Sequence, residues 1–245
     1  MTPILAAFQF LTIFPAILKR MFTPQEMGRA AGWFPLVGVA LGFALYGVNF
    51  IARLLFPQAV SAALTLFAWV MLTRAFHLDG FMDSCDGLFG GWTPERRLEI
   101  MKDSRMGAFG VAGGVLVLLT KYAALSSMNA SMALPSLLLA ATLGRWALPL
   151  VIFFLPYARK DGIGFDMKNN VTWREIVTAA LITGMTAWLS FGWLGLGFIL
   201  GAAMIGLIVA GYVMRLLPGL TGDIYGAVTI LVEMLTLVCF TAKIL

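Results

Sequence analysis

Three carboxylates in one short stretch of the chain could together bind a metal ion. Asp79, Asp83 and Asp86 stand at positions i, i+4 and i+7, which one face of an α-helix brings together. No Lys or Arg lies between His77 and Trp92, so nothing in the local sequence neutralises these acids. Carboxylate oxygens suit a hard divalent cation, and the sequence therefore predicts a Mg²⁺ site, with Mn²⁺ as a substitute.

The next predicted helix and the single histidine extend this candidate site. Asp103 is a further candidate ligand, whereas zinc is disfavoured because the chain has one His and Cys85 has no partner cysteine nearby. His77 lies about 160° around the helix from Asp79, so a general base and a structural histidine are both open roles. A solvated acidic loop with no metal is also an open alternative.

The composition is that of a polytopic membrane protein. Of all residues 60% are hydrophobic and 12% are charged, and the mean hydropathy is +0.91, whereas soluble domains carry roughly 25% charged residues. Backbone groups facing lipid must be satisfied within their own segment, which predicts an all-α helical bundle. Residues 1–245 are expected to form a single transmembrane catalytic domain, with no nucleic-acid partner, since the net charge of +5 is spread along loops.

About seven transmembrane helices are predicted from apolar stretches of about 20 residues. The candidate spans are 31–55, 58–76, 107–128, 134–155, 174–190, 193–217 and 223–245. Segment 3–18 is short and predicts a membrane or re-entrant helix, with an eighth span left open. If the acidic loop and helix 77–106 face the cytoplasm, thirteen of seventeen Lys and Arg residues lie on that side and only Arg53 and Lys243 lie opposite, as the positive-inside rule requires.

Basic residues on the same predicted side point to phosphoryl transfer, in which cations neutralise phosphate charge beside a bound metal. These bases are Lys102, Arg105, Arg159 and Lys160. A short helix over about 94–103, with Thr93 as its N-cap, is expected to precede Arg105.

Ionisable residues also fall inside predicted spans, where each costs several kcal/mol unless it is paired or hydrated. Arg145 and Glu233 are expected to pair with each other or to line a polar cavity. Lys121 is a weaker case, because a lysine can extend to the interface. Asp223 begins the last span, where it caps the helix or completes the active site.

The whole chain resembles the cobalamin synthase family, the adenosylcobinamide-GDP ribazoletransferases. The resemblance rests on blocks in the family's order: Leu11-Thr12-Ile13-Phe14-Pro15; His77-Leu78-Asp79-Gly80 with Asp83 and Asp86-Gly87; the run from Glu95 to Gly107; Pro156-Tyr157-Ala158-Arg159 with Asp161-Gly162; and Gly219-Leu220-Thr221-Gly222-Asp223 with Gly226-Ala227 and Glu233.

This resemblance implies the last assembly step of vitamin B12 at the bacterial inner membrane, with the site facing the cytoplasm. The family joins adenosylcobinamide-GDP to α-ribazole or its 5′-phosphate, releases GMP and needs Mg²⁺. Combined with the residue chemistry above, this predicts the catalytic residues Asp79, Asp83, Asp86 and Asp103, which also bind the metal, with His77, Lys102 and Arg105. The predicted substrate-binding residues are Arg145, Arg159, Asp223 and Glu233. The lipid bilayer and other late cobalamin-pathway enzymes are implied partners, and a homo-oligomer stays open.

Two other classes are alternatives. A CDP-alcohol phosphatidyltransferase also uses aspartates and magnesium at a membrane surface, but the Ala-Arg pair that follows Asp-Gly in its signature is Phe81-Met82 here. A secondary transporter would use Arg145 and Glu233 as its substrate or ion pathway. The sequence shows no internal repeat of the kind expected of many transporters, and its acids concentrate in one loop.

Overall fold

The chain forms a helical bundle in a computed structural model that describes residues 1–242. Across these residues it contains α1 (Thr2–Leu11), α2 (Pro24–Ala30), α3 (Phe34–Leu55), α4 (Gln58–Leu72), α5 (Phe76–Gly90), α6 (Pro94–Ile100), α7 (Ala108–Ser127), α8 (Ala130–Phe154), α9 (Ile163–Asn170), α10 (Trp173–Phe191), α11 (Trp193–Val213) and α12 (Gly222–Cys239). The predicted all-α class is confirmed. Lys243 and the end of the predicted span 223–245 lie outside the described residues.

The central element of the bundle is α8, which packs against α3, α10, α11 and α12. Most of its residues between Ala133 and Ile152 are buried. Pro135 and Pro149 lie inside this helix, and each removes one backbone hydrogen bond. Helices that cross membranes tolerate such prolines because neighbouring helices satisfy the freed groups. The helix therefore forms a fixed core on which the other helices are placed.

Two glycines bring α3 into backbone contact with α8. A Cβ added at Gly38 would lie 2.6 Å from the Cα of Thr142, and one at Gly42 would lie 2.7 Å from the Cα of Leu138. Their spacing of four residues places both on one face of α3, which is the small-xxx-small pattern of closely packed membrane helices. Side chains at these two positions would push the helices apart.

The described residues contain five helices long and apolar enough to cross a membrane. They are α7, α8, α11, α12 and the continuous helical stretch Pro24–Leu55, in which a 3₁₀ turn at Ala31–Trp33 joins α2 to α3. A sixth crossing would need α4 and α5 together, which meet at 87°. The structure thus has five or six apolar spans where the sequence predicted seven. The segment predicted over 58–76 breaks after Leu72, and α10, predicted as the span 174–190, is not one of the five helices. With ten residues, α1 is about 15 Å long and too short to span.

The break between α4 and α5 is a left-handed turn without glycine. Arg74 and Ala75 have φ values of 53° and 54°, a region that non-glycine residues seldom occupy. The Arg74 guanidinium donates hydrogen bonds to the carbonyls of Gln9 (3.1 Å) and Phe10 (2.9 Å) at the end of α1. This contact holds the end of α1 against the turn at which α5 leaves the direction of α4.

The start of α6 follows its sequence signals. The Thr93 hydroxyl accepts a hydrogen bond from the Arg96 backbone N–H at 3.2 Å, with Pro94 in the first turn. The predicted N-cap is confirmed. The helix ends at Ile100, not near Asp103 as predicted, so Asp103 lies in the loop that leads to α7.

Gly38→Ala is expected to destabilise the protein by about 1–3 kcal/mol, because the added methyl overpacks the contact between α3 and α8. Gly47→Ala, on the same helix with open space around it, is the matched control and should be neutral or stabilising by up to about 1 kcal/mol. Thermal unfolding in detergent measures both, and equal melting temperatures for the two variants would contradict this packing.

Candidate active site

Two glycines allow α5 and α12 to cross in backbone contact. A Cβ added at Gly80 would lie 3.1 Å from the Cα of Asp223, and one at Gly226 would lie 2.9 Å from the carbonyl oxygen of His77. Both distances are too short for a larger residue without displacement. The crossing therefore brings the carboxylate of Asp79, on α5, to the same place as that of Asp223, at the start of α12.

A short pairing between two loops places a cation beside Asp223. The Ala158 N–H donates to the carbonyl of Leu220 at 2.8 Å, and the Leu220 N–H donates to that of Pro156 at 2.9 Å. This pairing aligns the segment after α8 with the start of α12. Arg159 then donates to the Asp223 carboxylate at 2.8 Å, with both side chains less than one-fifth exposed.

These elements enclose a cavity of about 310 Å³, which we call the α5–α12 cavity. Its charged lining residues are Asp79, Arg159, Asp161 and Asp223, and most of its other side chains are apolar or aromatic. The volume lies at the lower end of the range of about 300–1,000 Å³ found for small-molecule sites. A cavity with an apolar interior and a few charged groups at one end is suited to an organic ligand that carries a reacting polar group.

The carboxylate of Asp83 lies near this charged end. It is close enough to Asp79 and Asp223 to be repelled by both, with Arg159 attracting it. Mg²⁺ is usually held by one or two carboxylates together with water and substrate phosphates. In residues 1–242 no three or more His, Cys, Asp and Glu side chains are gathered closely enough to hold an ion. The donors present therefore fit a Mg²⁺ ion held partly by substrate oxygens.

Asp86 is held by the start of another helix. Its two carboxylate oxygens accept hydrogen bonds from the backbone N–H groups of Gly107 and Gly110, each at 2.8 Å, and its side chain is buried. A carboxylate at this position satisfies N–H groups that α7 leaves free and interacts favourably with the helix dipole. In this arrangement Asp86 anchors α7 to α5.

The loop after α6 keeps its charged residues outside the α5–α12 cavity. Asp103 forms an ion pair with Arg105 at 2.7 Å, and the Arg105 side chain is 87% exposed. The side-chain hydrogen bond from Arg105 lowers the pKa of Asp103 to about 2. Lys102 is exposed as well. None of the three borders the cavity, so their predicted catalytic roles remain without a contact in this structure.

Three charged residues form a buried network inside the bundle. Glu233 accepts hydrogen bonds from Lys121 and Arg145, and all three side chains are at most 3% exposed. The expected pairing of Arg145 with Glu233 is confirmed. Lys121, the weaker case for pairing, is paired as well: its ammonium is held by Glu233 and lies 4.0 Å from the centroid of the Trp69 ring. Arg145 and Glu233, predicted to bind substrate, do not border the α5–α12 cavity.

His77 lies between this network and the cavity. The residue is 3% exposed, and neither ring nitrogen has a hydrogen-bond partner among the described residues. It borders both the α5–α12 cavity and a cavity of about 10 Å³ beside the charged network, which has room for about one water molecule. This position is compatible with either role predicted for His77, so a general base and a structural histidine both stay predictions.

Three cavity residues were not among the sequence candidates: Tyr157, Asp161 and Tyr225. Burial raises the pKa of the Tyr157 hydroxyl, so this group stays protonated and can donate a hydrogen bond at neutral pH. Tyr157 and Asp161 stand in the same block as Arg159, one of the blocks that carry the family resemblance, and this was the signal that could have identified them. No sequence signal marked Tyr225, because it stands on an apolar helix where it resembles any core residue.

Comparison with known proteins supports the sequence resemblance. A family model described as cobalamin-5-phosphate synthase matches residues 3–241. A Desulfitobacterium hafniense protein named adenosylcobinamide-GDP ribazoletransferase is 40% identical over 238 residues, covering 94% of this chain and 93% of the relative. A Pseudomonas syringae protein with the same name is 38% identical over 238 residues, covering 97% and 98%. No solved structure matches the chain.

Asp86→Asn is expected to lower stability by about 1–2 kcal/mol without weakening metal binding, because the carboxylate serves the α7 N-terminus. Thermal unfolding measures the first effect, and Mn²⁺ titration followed by EPR measures the second. Asp79→Asn is the comparison and should weaken Mn²⁺ binding with little loss of stability. Weaker Mn²⁺ binding in Asp86→Asn would instead assign Asp86 to the metal.

Glu233→Gln is expected to destabilise the bundle by about 3–5 kcal/mol, because it leaves two buried cations without a counter-ion. Lys121→Met is the control: it leaves Arg145 and Glu233 as a one-to-one pair and should cost much less. Unfolding in graded denaturing detergent compares them. A loss in Lys121→Met as large as that in Glu233→Gln would contradict this account of the network.

Proposed function

The chain belongs to the cobalamin-5-phosphate synthase family, and on this basis we propose that it catalyses the joining of adenosylcobinamide-GDP to α-ribazole or its 5′-phosphate, with release of GMP. This is the final assembly step of cobalamin. The α5–α12 cavity is the proposed active site.

One structural observation carries this proposal beyond family membership. Asp79, Asp223 and Arg159 come from three separate parts of the chain and border one cavity. Two carboxylates and one guanidinium beside an organic-ligand cavity provide what a phosphoryl transfer needs: sites for a cation and a group that contacts phosphate oxygens.

The proposed reaction is a displacement at phosphorus. A ribose hydroxyl of α-ribazole attacks the corrinoid-side phosphorus of the pyrophosphate and forms the new P–O bond. The bridging P–O bond breaks, and GMP departs with the bridging oxygen. The hydroxyl proton passes to a carboxylate at the charged end of the cavity, Asp79 or Asp223. The phosphoanhydride supplies the driving force, so the protein mainly positions the reactants and balances charge.

Arg159 is the group best placed to contact the pyrophosphate. One of its terminal nitrogens is engaged by Asp223, while its Nε has no hydrogen-bond partner among the described residues. A guanidinium held on one side by a carboxylate keeps a fixed direction for its remaining N–H groups, which match phosphate oxygens. Mg²⁺, when bound, would neutralise charge on the pyrophosphate and on departing GMP.

The membrane setting of the reaction is also part of the proposal. We place the chain in the bacterial inner membrane with the α5–α12 cavity open to the cytoplasm, where a nucleotide-activated substrate is made. The bases that lie between α5 and α7 support this orientation, because Lys and Arg residues close to membrane helices are enriched on the cytoplasmic side; these bases are Arg96, Arg97, Lys102 and Arg105.

Asp79→Asn and Asp223→Asn are expected to lower the rate of GMP release by on the order of 10³-fold, because each removes a charge that acts on the transferring phosphoryl group. The assay uses purified protein in detergent with adenosylcobinamide-GDP, α-ribazole and Mg²⁺. Glu99→Gln is the matched carboxylate-to-amide control, since Glu99 forms only an exposed pair with Arg96, and it should retain the parental rate.

Near-parental GMP release by Asp79→Asn and Asp223→Asn would reject the proposed site. Failure of the unmodified protein to release GMP, combined with CMP release from CDP-diacylglycerol and an alcohol acceptor, would favour the phosphatidyltransferase alternative. Uptake of substrate by sealed vesicles without GMP formation would favour a transporter.

A further inference from the structure

The buried network of Lys121, Arg145 and Glu233 does not balance its own charge. Two cations share one carboxylate, and all three side chains are at most 3% exposed. An arginine stays charged in proteins. The ammonium form of Lys121 is favoured by its bond to Glu233 and by the face of the Trp69 ring, 4.0 Å away. The network therefore carries one positive charge that no carboxylate among the described residues offsets.

The cavity of about 10 Å³ beside this network, which we call the network cavity, is lined by groups that can hold an anion. Both cations border it, and Glu233 is the one carboxylate among the described residues that does so. Arg145 Nε and Trp69 Nε1 have no hydrogen-bond partner in the part of the chain that the structure describes, and both side chains border the same cavity. Buried donors are seldom left without an acceptor, so these two indicate a bound ligand.

We propose that the network cavity binds one monatomic anion, a halide such as chloride. The ion offsets the excess charge of Lys121 and Arg145 and accepts hydrogen bonds from donors that are otherwise free. A water molecule could accept the same hydrogen bonds, but it would leave a net charge buried inside a membrane bundle, which is costly.

The size of the network cavity restricts the class of anion. A space of about 10 Å³ holds about one water molecule, so phosphate, sulfate and carboxylates are too large. Halides are the simple anions nearest to water in size. Chloride is less strongly hydrated than fluoride, so it loses less on leaving water for a buried site.

The surroundings allow the ion to enter and to stay. His77 borders both the network cavity and the larger α5–α12 cavity, so an ion in the larger cavity reaches the smaller one past this side chain. Glu233 also borders the network cavity, but each of its two oxygens accepts a hydrogen bond from one of the cations. Its charge is thus directed toward them, which reduces its repulsion of the ion.

Thermal unfolding of the unmodified protein in detergent tests halide binding. An ion that binds only the folded state raises the melting temperature by mass action. At a chloride concentration about tenfold above its Kd, we expect a melting temperature about 3–6 °C higher than in gluconate at equal ionic strength, with a similar rise in bromide. Equal melting temperatures in chloride, bromide and gluconate would overturn the inference.

Lys121→Met tests the location of the ion. The substitution leaves Arg145 and Glu233 as a neutral pair, so the difference between chloride and gluconate should disappear. Lys19→Met is the matched control, because Lys19 is exposed, and it should keep the full difference. The control thereby accounts for general effects of salt on the protein surface. A chloride effect in Lys121→Met as large as that in Lys19→Met would overturn the inference.

Bromide locates the ion directly and needs no variant. Crystals of the unmodified protein soaked in bromide should show an anomalous difference peak in contact with the side chains of Lys121 and Arg145. A network cavity that holds only water in such crystals would overturn the inference. Neither measurement uses the enzymatic reaction, so the outcome for the halide site is independent of the outcome for the proposed function.

Discussion

The contact between the backbones of α5 and α12 is the constraint on which the site depends. Gly80 and Gly226 are the residues that permit it, because any larger residue would meet the backbone of the other helix. Asp79 and Asp223 are 144 positions apart in the sequence, and no local rule brings them together. Since packed interiors yield little to small changes in volume, the two glycines hold close together the two helix backbones that carry these carboxylates.

A second level of organisation lies beneath this crossing. Glu233 is shared by Lys121 and Arg145 and so joins α12 to both α7 and α8. A buried group of charges contributes little net stability compared with an apolar core, but it penalises every arrangement in which one partner is absent. The network therefore disfavours other registers of α12, the helix that carries Asp223 at its start. Charged residues inside the bundle thus help to position the helix that lines the α5–α12 cavity.

The sequence predicted the parts of this fold that depend on local rules. The spacing of Asp79, Asp83 and Asp86 correctly placed them on one helix, and the N-cap of α6 was read from Thr93 and Pro94. The bend at Arg74 and Ala75 could not be predicted, because no glycine or proline marks it and its support comes from α1. The partners of Asp86 could not be predicted either, because they lie 21 and 24 residues further along the chain. Nor could the burial of Lys121, because it depends on a carboxylate from another helix. The metal ligands stay a prediction.

The corner where α5 meets the start of α7 limits how this chain can vary. The carboxylate of Asp86 occupies the space that side chains at positions 107 and 110 would need. A larger residue at position 107 or 110 collides with this carboxylate, and a residue without a carboxylate at position 86 leaves the α7 N–H groups unsatisfied. The residues at positions 86, 107 and 110 therefore depend on one another. A single replacement at one of them is destabilising, so natural variants should keep all three residues or change all three together.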